Sequence, residues 1–236
     1  MMKKDDPFLD PRGVPSRLFD YRLRRDIRDA LAAQLPRFTG TLLDVGCGDM
    51  PYKPLLMGIP SRVTRYIGLD VEGGLHGKPD LSFNGTDIPL RDAEADCAIA
   101  TEVLEHCAEP EKLLREIARV LKPSGVFFFT VPFFWPVHEA PHDHHRFTPF
   151  ALRRMLERAG FDRVEIAAHG GWDASLAQMI GLWARYRGMR PWKRRVLSWL
   201  LLPAVHLLNA IDKKSDDADS ENTMTTGFSG IARKQN

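Results

Sequence analysis

The chain of 236 residues has only three cysteines, Cys47, Cys97 and Cys107, and no Cys-x-x-Cys pair. Three cysteines cannot all pair, and these spacings do not suit a zinc site. We therefore expect neither a disulfide framework nor a structural zinc site. This cysteine usage favours a reducing compartment, and we expect a cytoplasmic protein.

Long apolar runs and an excess of one charge sign are also missing. The charged N-terminus, Met-Met-Lys-Lys-Asp-Asp-Pro, is not followed by an apolar run of about 7 to 15 residues, so we expect no secretory signal. Lys and Arg number 33 and Asp and Glu 31, and the resulting net charge of +2 gives no argument for a nucleic-acid partner. A chain of this length can bury a core of its own.

Short apolar runs alternate with helical periodicities along the chain. The predicted strands are 41–48 with its glycine turn, 66–71, 96–101, 126–131, 163–167 and 225–232, and the predicted helices are 23–35, 110–121 and 149–159. This alternation predicts an α/β protein with a parallel sheet. We divide it into an N-terminal helical flank (1–39), an α/β core (40–169), a helical insertion with an acidic linker (170–221) and a last strand that completes the core (222–236).

Ligands of open α/β sheets bind beyond the carboxyl ends of the strands. The loop after the first predicted strand reads Asp-Val-Gly-Cys-Gly-Asp-Met-Pro at 44–51, and its two glycines permit a tight turn that a ligand can approach. A dinucleotide-binding loop would continue to a third glycine where this chain has Pro51, so a nucleotide-dependent oxidoreductase is the weaker alternative. Asp70 ends the second strand, where its carboxylate can accept hydrogen bonds from a ribose, and Asp-Ile-Pro-Leu at 87–90 follows.

Five ordered motifs resemble those of the class I S-adenosylmethionine-dependent methyltransferases. They are Leu-Leu-Asp-Val-Gly-Cys-Gly (42–48), Tyr-Ile-Gly-Leu-Asp (66–70), Asp-Ile-Pro-Leu (87–90), Ala-Thr-Glu-Val-Leu-Glu-His (100–106) and Glu-Ile-Ala-Arg-Val-Leu-Lys-Pro-Ser-Gly (116–125). The resemblance covers residues 41 to 167. It implies a Rossmann-like three-layer α/β/α sandwich with a mostly parallel seven-stranded sheet and an antiparallel last strand. It also implies methyl transfer with S-adenosyl-L-methionine as cofactor.

The resemblance further implies which residues bind that cofactor. The glycine loop would wrap its methionine part, with an aspartate supporting the loop, and the aspartate after the second strand would hold the ribose. The third motif would border the adenine, and a threonine would line the site. In chain order these residues are Asp44, Gly46, Cys47, Gly48, Asp70, Asp87, Ile88 and Thr101.

A histidine-rich loop, Val-His-Glu-Ala-Pro-His-Asp-His-His-Arg-Phe-Thr at 137–148, follows the strand 126–131. Methyl transfer from a sulfonium depends mainly on alignment, so a general base is optional, but a histidine suits that role near neutral pH. We single out His142 as the catalytic residue. The alternative is that the histidines are exposed and that Asp143 and Arg146 hold the loop. Similar segments occur in methyltransferases of bacterial glycans and the cell envelope, which implies a small, glycan-like or lipid-linked acceptor.

Glu102, Glu105 and His106 form a second group of chemically capable residues. On a helix these positions share one face. Some small-RNA and quinone-precursor methyltransferases hold a divalent metal with a similar cluster, which His142 and His144 would complete here. The same motif is widespread in the superfamily without a metal, and we predict no metal in this chain.

The insertion carries a local excess of positive charge. Its basic residues are Arg185, Arg187, Arg190, Lys193, Arg194 and Arg195, and a mostly apolar run, 196–211, follows them. That run is shorter than the about 20 residues of a spanning helix, so 185–211 fits peripheral contact with an anionic membrane, here the inner membrane. A cap over the active site and a homodimer contact stay open. A nucleic-acid patch fits poorly, because aromatic residues are not interleaved for stacking. For the whole chain, the non-enzymatic alternative is a methyltransferase-like binding or scaffold protein.

Overall fold

The computed structural model describes residues 6–73, 77–213 and 218–236, so part of the predicted acidic linker, 214–217, lies outside the described residues. The strands are β1 (Thr39–Val45), β2 (Arg62–Val71), β3 (Leu81–Phe83), β4 (Ala95–Thr101), β5 (Leu121–Pro132), β6 (Phe161–Ala168) and β7 (Gly227–Lys234). The helices are α1 (Tyr21–Gln34), α2 (Lys53–Leu56), α3 (Pro110–Val120), α4 (Pro149–Arg158), α5 (Trp172–Tyr186) and α6 (Pro191–Ile211).

The seven strands form one sheet in the order β3-β2-β1-β4-β5-β7-β6. Every neighbouring pair is parallel except those that involve β7, which runs antiparallel to both β5 and β6. The predicted Rossmann-like sandwich with an antiparallel last strand is therefore confirmed. Strand order reverses between β1 and β4, which makes their carboxyl ends the expected place for a ligand.

The core lies on both faces of the sheet, and β5 shows why. Its alternate residues point to opposite faces, so Phe127 and Phe129 pack in the cluster that contains α3 and α4. Phe128 packs in the other cluster with Phe38 and Ile27 of the N-terminal flank. All three phenylalanines are at most 1% exposed. The N-terminal flank is thus part of the layer that covers the sheet.

The insertion is a helical hairpin, in which α5 and α6 are joined by a short turn and pack against each other. The sequence predicts a basic segment beside an apolar run, and α6 combines the last three basic residues, Lys193, Arg194 and Arg195, with the apolar run in one helix that continues through Pro203. In the described part of the chain, no helix is long and apolar enough to cross a membrane. Gln178 of α5 donates a hydrogen bond to the carbonyl of Phe134 at 2.7 Å, which sets the hairpin beside the carboxyl end of β5.

Asp212, immediately after α6, joins the hairpin to the N-terminal flank. Its carboxylate accepts hydrogen bonds from the backbone N–H groups of Gly171 and Ala174, at 3.0 and 2.9 Å, and so caps the start of α5. The Arg22 guanidinium of α1 lies 3.2 Å from the same carboxylate and 2.6 Å from that of Asp26. These three charged side chains are at most 6% exposed.

Substitution of Arg22 by Met should lower the free energy of unfolding by about 3 kcal/mol, because it leaves two buried carboxylates without their cation. Chemical denaturation measures the loss. Arg37→Met is the matched control, since its ion pair with Glu165 is solvent-exposed on both sides and should cost less than about 1 kcal/mol. Equal losses in the two variants would contradict the role given to Arg22.

Candidate functional site

The glycine turn after β1 is tied to the end of β2. Gly46 and Gly48 have φ values of 67° and 50°, in the left-handed region that favours glycine. The backbone N–H groups of Gly46 and Cys47 donate to the carbonyl of Leu69 at 2.8 and 3.1 Å. The N–H of Gly48 donates to Oδ2 of Asp70 at 2.7 Å. Two of the predicted motifs therefore form one structural unit.

Close contacts explain why the turn needs small residues. A Cβ on Gly46 would lie 2.4 Å from Cγ2 of Val103, in the segment after β4. Gly68 of β2 packs directly against the turn. A Cβ at this position would lie 2.7 Å from Cε of Met50 and 3.0 Å from Sγ of Cys47, so a larger residue would not fit. Burial raises the pKa of the Cys47 thiol to about 12, so this cysteine packs in the turn as a neutral group.

Asp44, which precedes the turn, is a buried carboxylate with an unusual protonation behaviour. It is 2% exposed, and Oδ2 accepts a hydrogen bond from the hydroxyl of Tyr66 on β2. Oδ1 has no hydrogen bond among the described residues. Burial raises the pKa of Asp44 to about 7, although the Tyr66 hydrogen bond opposes the shift. Near neutral pH this carboxyl is therefore partly protonated.

The third motif forms a loop that a charged pair of α3 holds in place. Ile88 is 3% exposed, and its N–H donates to Oε2 of Glu116 at 3.1 Å. Arg119 donates to the carbonyl of Ile88 at 2.9 Å and to Glu116 at 2.7 Å. Asp87 is exposed and accepts a hydrogen bond from the amide of Asn84 at 2.7 Å. Ile88 is thus fixed by α3, whereas Asp87 belongs to a surface turn.

The segment after β4 differs from the sequence-based interpretation. Thr101 lies opposite Thr130 of β5 at the end of the strand, as expected. Glu102 has a φ of 56°, and a short 3-10 turn, Leu104–His106, follows instead of an α-helix. The expectation that Glu102, Glu105 and His106 share a helix face is therefore wrong. The N–H of Glu102 still donates to the carbonyl of Thr130 at 3.1 Å, so the turn begins directly after the pairing of β4 with β5.

Two buried carboxylates result from this turn. Burial raises the pKa of Glu102 to about 7. Glu105 is 0% exposed, and burial together with the nearby Glu102 carboxylate raises its pKa well above the usual range. Neither carboxylate oxygen of Glu105 has a hydrogen bond in the described part of the chain. The segment that contacts the glycine turn through Val103 therefore also presents unsatisfied polar atoms.

The histidine-rich loop is held by an ion pair between Asp143 and Arg146, with N–O distances of 2.6 and 2.8 Å. Arg146 also donates to the carbonyls of Trp135 and Pro136. The guanidinium keeps the pKa of Asp143 well below its usual range. This is the holding role that the sequence analysis gave as the alternative for these two residues.

The loop places a different histidine from the predicted one near the buried carboxylate of Glu105. His142 is exposed, and its carbonyl lies 3.0 Å from Nδ1 of His106. His138, which sequence reasoning did not single out, brings a ring nitrogen within 4.8 Å of ligand atoms of Glu105 and His106. Nothing in the spacing of the loop distinguishes His138 from its neighbours. The role of His142 and the expected absence of a metal both stay predictions.

Comparison with known proteins now decides the family. The sequence profile of a family described as "Methyltransferase domain" matches residues 19–166, which is more than half of the chain. The chain belongs to the class I S-adenosylmethionine-dependent methyltransferases. A probable S-adenosylmethionine-dependent methyltransferase of Mycolicibacterium smegmatis is 31% identical over 135 residues. The match covers 51% of this chain, and the chain spans about half the length of that relative, 51%.

Solved structures share the fold at low sequence identity. A SAM-dependent methyltransferase from Archaeoglobus fulgidus superposes with a TM-score of 0.56 at 17% identity, over 90% of this chain and 94% of that one. The [4+2]-cyclase SpnF superposes with a TM-score of 0.55 at 23% identity, over 91% of this chain and 83% of that one. The same architecture thus occurs in a protein that is described as a cyclase.

The residues present fit the family's methyl donor. The turn at 46–48 has no side chain larger than that of a cysteine, so its backbone is open to close approach. Asp70 is only half-buried and lies at the end of β2, where its carboxylate can reach the hydroxyls of a ribose. Thr101 lies at the end of β4, at the same edge, and Ile88 is buried in the loop that follows β3. The turn at 46–48, Asp70 and Thr101 thus lie at the carboxyl edge where strand order reverses, and cofactor binding by the predicted residues stays a prediction.

Substitution of Asp70 by Ala should weaken binding of S-adenosylhomocysteine by about 1.5 to 3 kcal/mol, the effect of losing a charged hydrogen-bond acceptor. Asp70→Asn should also weaken it, while its amide oxygen can still accept from Gly48. Calorimetric titration measures both. Asp162→Ala, exposed at the opposite edge of the sheet, is the control. Unchanged affinity in the Asp70→Ala variant would refute the proposed contact.

The pH dependence of stability should change when Asp44 is replaced by Asn. The pKa of Asp44 is raised from its ordinary value of 3.8 to about 7 in the folded chain, so its contribution is present at low pH and is lost as pH rises through 7. The stability of the native chain relative to Asp44→Asn should therefore fall between pH 4 and 7, by at most about 1.4 kcal/mol per pH unit. Parallel profiles from denaturation at several pH values would contradict this.

Proposed function

We propose that this chain transfers the methyl group of S-adenosylmethionine to a small acceptor that is glycan-like or lipid-linked. The observation that carries the proposal is the glycine turn held by the Gly48–Asp70 hydrogen bond, at the point where strand order reverses. When bound, S-adenosylmethionine supplies an activated methyl group on its sulfonium. The contribution of the chain is to bind the donor, orient the acceptor and exclude water.

Each predicted cofactor residue has a task in this proposal. The backbone of 46–48 holds the methionine part, and the half-buried Asp70 holds the ribose. Ile88 offers an apolar wall for the adenine, with Asp87 at its rim. Thr101 lines the site between β4 and β5, and Asp44 holds the strand below the turn through Tyr66. The carboxyl edge thereby fixes the donor before the acceptor arrives.

Methyl transfer to a hydroxyl also releases a proton. The sequence predicts that His142 accepts it, but the exposure of His142 does not favour that role. Glu102 follows Thr101 directly and has one carboxylate oxygen that is buried and without a hydrogen bond among the described residues. Its position and its unpaired oxygen favour Glu102 over His142 as the proton acceptor.

The acceptor class rests on features outside the core. The histidine-rich loop closes the edge beyond β5, and the hairpin of α5 and α6 lies beside it through Gln178. A small molecule would enter between these two elements. The basic, apolar segment 185–211 supports a lipid-linked acceptor and peripheral association with the inner membrane. A homodimer contact through the same segment is the competing use of that surface.

A binding or scaffold protein without methyl transfer is the second candidate function. The likeness to the [4+2]-cyclase favours this candidate, because that protein has the same architecture and is described as a cyclase. Such a protein would bind S-adenosylhomocysteine but would transfer no methyl group. A nucleotide-dependent oxidoreductase has less support, since Pro51 takes the place of the third glycine.

Titration and a transfer assay separate these functions. The chain should bind S-adenosylhomocysteine and not NAD, and methyl-labelled S-adenosylmethionine should label a lipid or aqueous fraction of an extract. Gly46→Ala should abolish labelling, because its Cβ would overlap Val103. Gly188→Ala is the matched control, since a Cβ there meets nothing within 4 Å. Donor binding without labelling would favour the scaffold, and binding of NAD alone would refute the methyltransferase.

A further inference from the structure

The outer surface of the hairpin is unusually apolar for a helix in contact with water. On α5, the large apolar side chains that are 45% to 66% exposed are Trp172, Leu176, Met179, Trp183 and Tyr186. Their spacing of three and four residues makes one continuous stripe. On α6, those that are 52% to 72% exposed are Trp192, Val196, Trp199, Leu200, Leu207 and Ile211. Exposed apolar surface of this extent marks an interaction site.

Positive charge surrounds one end of this surface. Of the six basic residues between 185 and 195, five are exposed and Arg194 is half-buried. No acidic residue lies between 185 and 211. Tryptophan and tyrosine beside arginine and lysine is the composition that suits the boundary between lipid headgroups and acyl chains.

A groove lies between the hairpin and the N-terminal segment, next to this surface. It has a volume of about 590 Å³, and Arg185, Arg194 and Arg195 lie along it together with the apolar side chains of Leu18 and Trp199. None of the residues that line it is acidic. Asp20, the nearby carboxylate, lies 3.4 Å from the guanidinium of Arg17, outside the groove lining.

The unpaired guanidinium nitrogen of Arg194 indicates that the groove suits an anionic ligand. This Nε is buried and has no hydrogen-bond partner among the described residues. A buried cationic donor without an acceptor is costly, so an acceptor is expected there. Arg185 stacks over the ring of Phe19 with its Cζ 5.4 Å from the ring centroid, and its charge also favours the ionised form of Asp20. Arginines that offer N–H groups beside apolar walls match a phosphate with an acyl chain attached.

We propose that this groove binds the phosphate headgroup of an anionic phospholipid, and that the apolar stripes of α5 and α6 lie in the surface of the same membrane. A second copy of the chain fits the groove less well, because a two-fold contact would bring two sets of these basic residues together. The helices lie on the membrane and do not cross it, in agreement with the absence of a spanning helix in the described chain.

This inference deepens the proposed function, on which its choice of a lipid-linked acceptor rests. The hairpin contacts the segment after β5 through Gln178, so attachment to a membrane would bring the carboxyl edge near lipid-linked molecules. Membrane binding is measurable without methyl transfer. A failure of either proposal can therefore be recognised without reference to the other.

The test is flotation of the full chain with vesicles of phosphatidylcholine alone or mixed with phosphatidylglycerol. Binding should require phosphatidylglycerol and should shift the tryptophan emission to shorter wavelength. The triple substitution Arg185→Gln, Arg194→Gln and Arg195→Gln should weaken binding on the order of 100-fold, because each cation near such a surface contributes about 1 kcal/mol. Trp192→Ala with Trp199→Ala should weaken it as well.

Matched controls keep the result interpretable. Arg62→Gln, Arg91→Gln and Arg154→Gln remove the same charge from exposed sites elsewhere and should leave binding unchanged. Each variant should keep its thermal melting and its affinity for S-adenosylhomocysteine. Absence of vesicle binding by the native chain, or equal loss in both triple variants, would overturn the proposal. A dimer that the tryptophan substitutions dissociate, without vesicle binding, would assign the surface to a second copy instead.

Discussion

The hydrogen bond from the Gly48 amide to the Asp70 carboxylate is the interaction on which the candidate cofactor site depends. It joins the turn after β1 to the end of β2. The turn is thereby held next to Val103, whose side chain lies so close to Gly46 that a Cβ there would not fit. A side chain at Gly46 would separate these segments. One backbone hydrogen bond and one absent Cβ thus bring three distant motifs to the edge where the sheet reverses its order.

Beyond that edge, the described chain concentrates groups that a folded interior normally avoids. Glu105 is fully buried, and neither of its carboxylate oxygens has a hydrogen bond among the described residues. Glu102 and Asp44 each have one buried carboxylate oxygen without a hydrogen bond among these residues. The hairpin contacts Phe134 after β5, and its position depends on Asp212, which caps α5 and pairs with Arg22 of α1. The N-terminal flank and the insertion, which are far apart in sequence, are therefore joined through one buried ion pair.

The regular part of this structure was predictable from local pattern. The apolar run 126–131 and the apolar positions of α3 at helical spacing indicate directly which residues are buried. The glycine turn was also predictable, because few backbone conformations fit its sequence. The three-residue β3 has too little periodicity to be recognised. The expected helix after β4 is replaced by a short 3-10 turn, because Glu102 adopts a left-handed conformation that the local sequence pattern does not favour. The nearness of His138 to Glu105 and His106 depends on how the loop 137–148 folds back, which spacing does not encode.

Hydrogen exchange of the backbone amides with and without S-adenosylhomocysteine tests the central claim most directly. S-adenosylhomocysteine should slow exchange at residues 46–50, at 70–72 and at 101–106, because these three segments meet at the carboxyl edge. The amino edge of the sheet should exchange at the same rate in both states. Protection confined to other segments, or none at a saturating concentration, would contradict a cofactor site built on the Gly48–Asp70 contact.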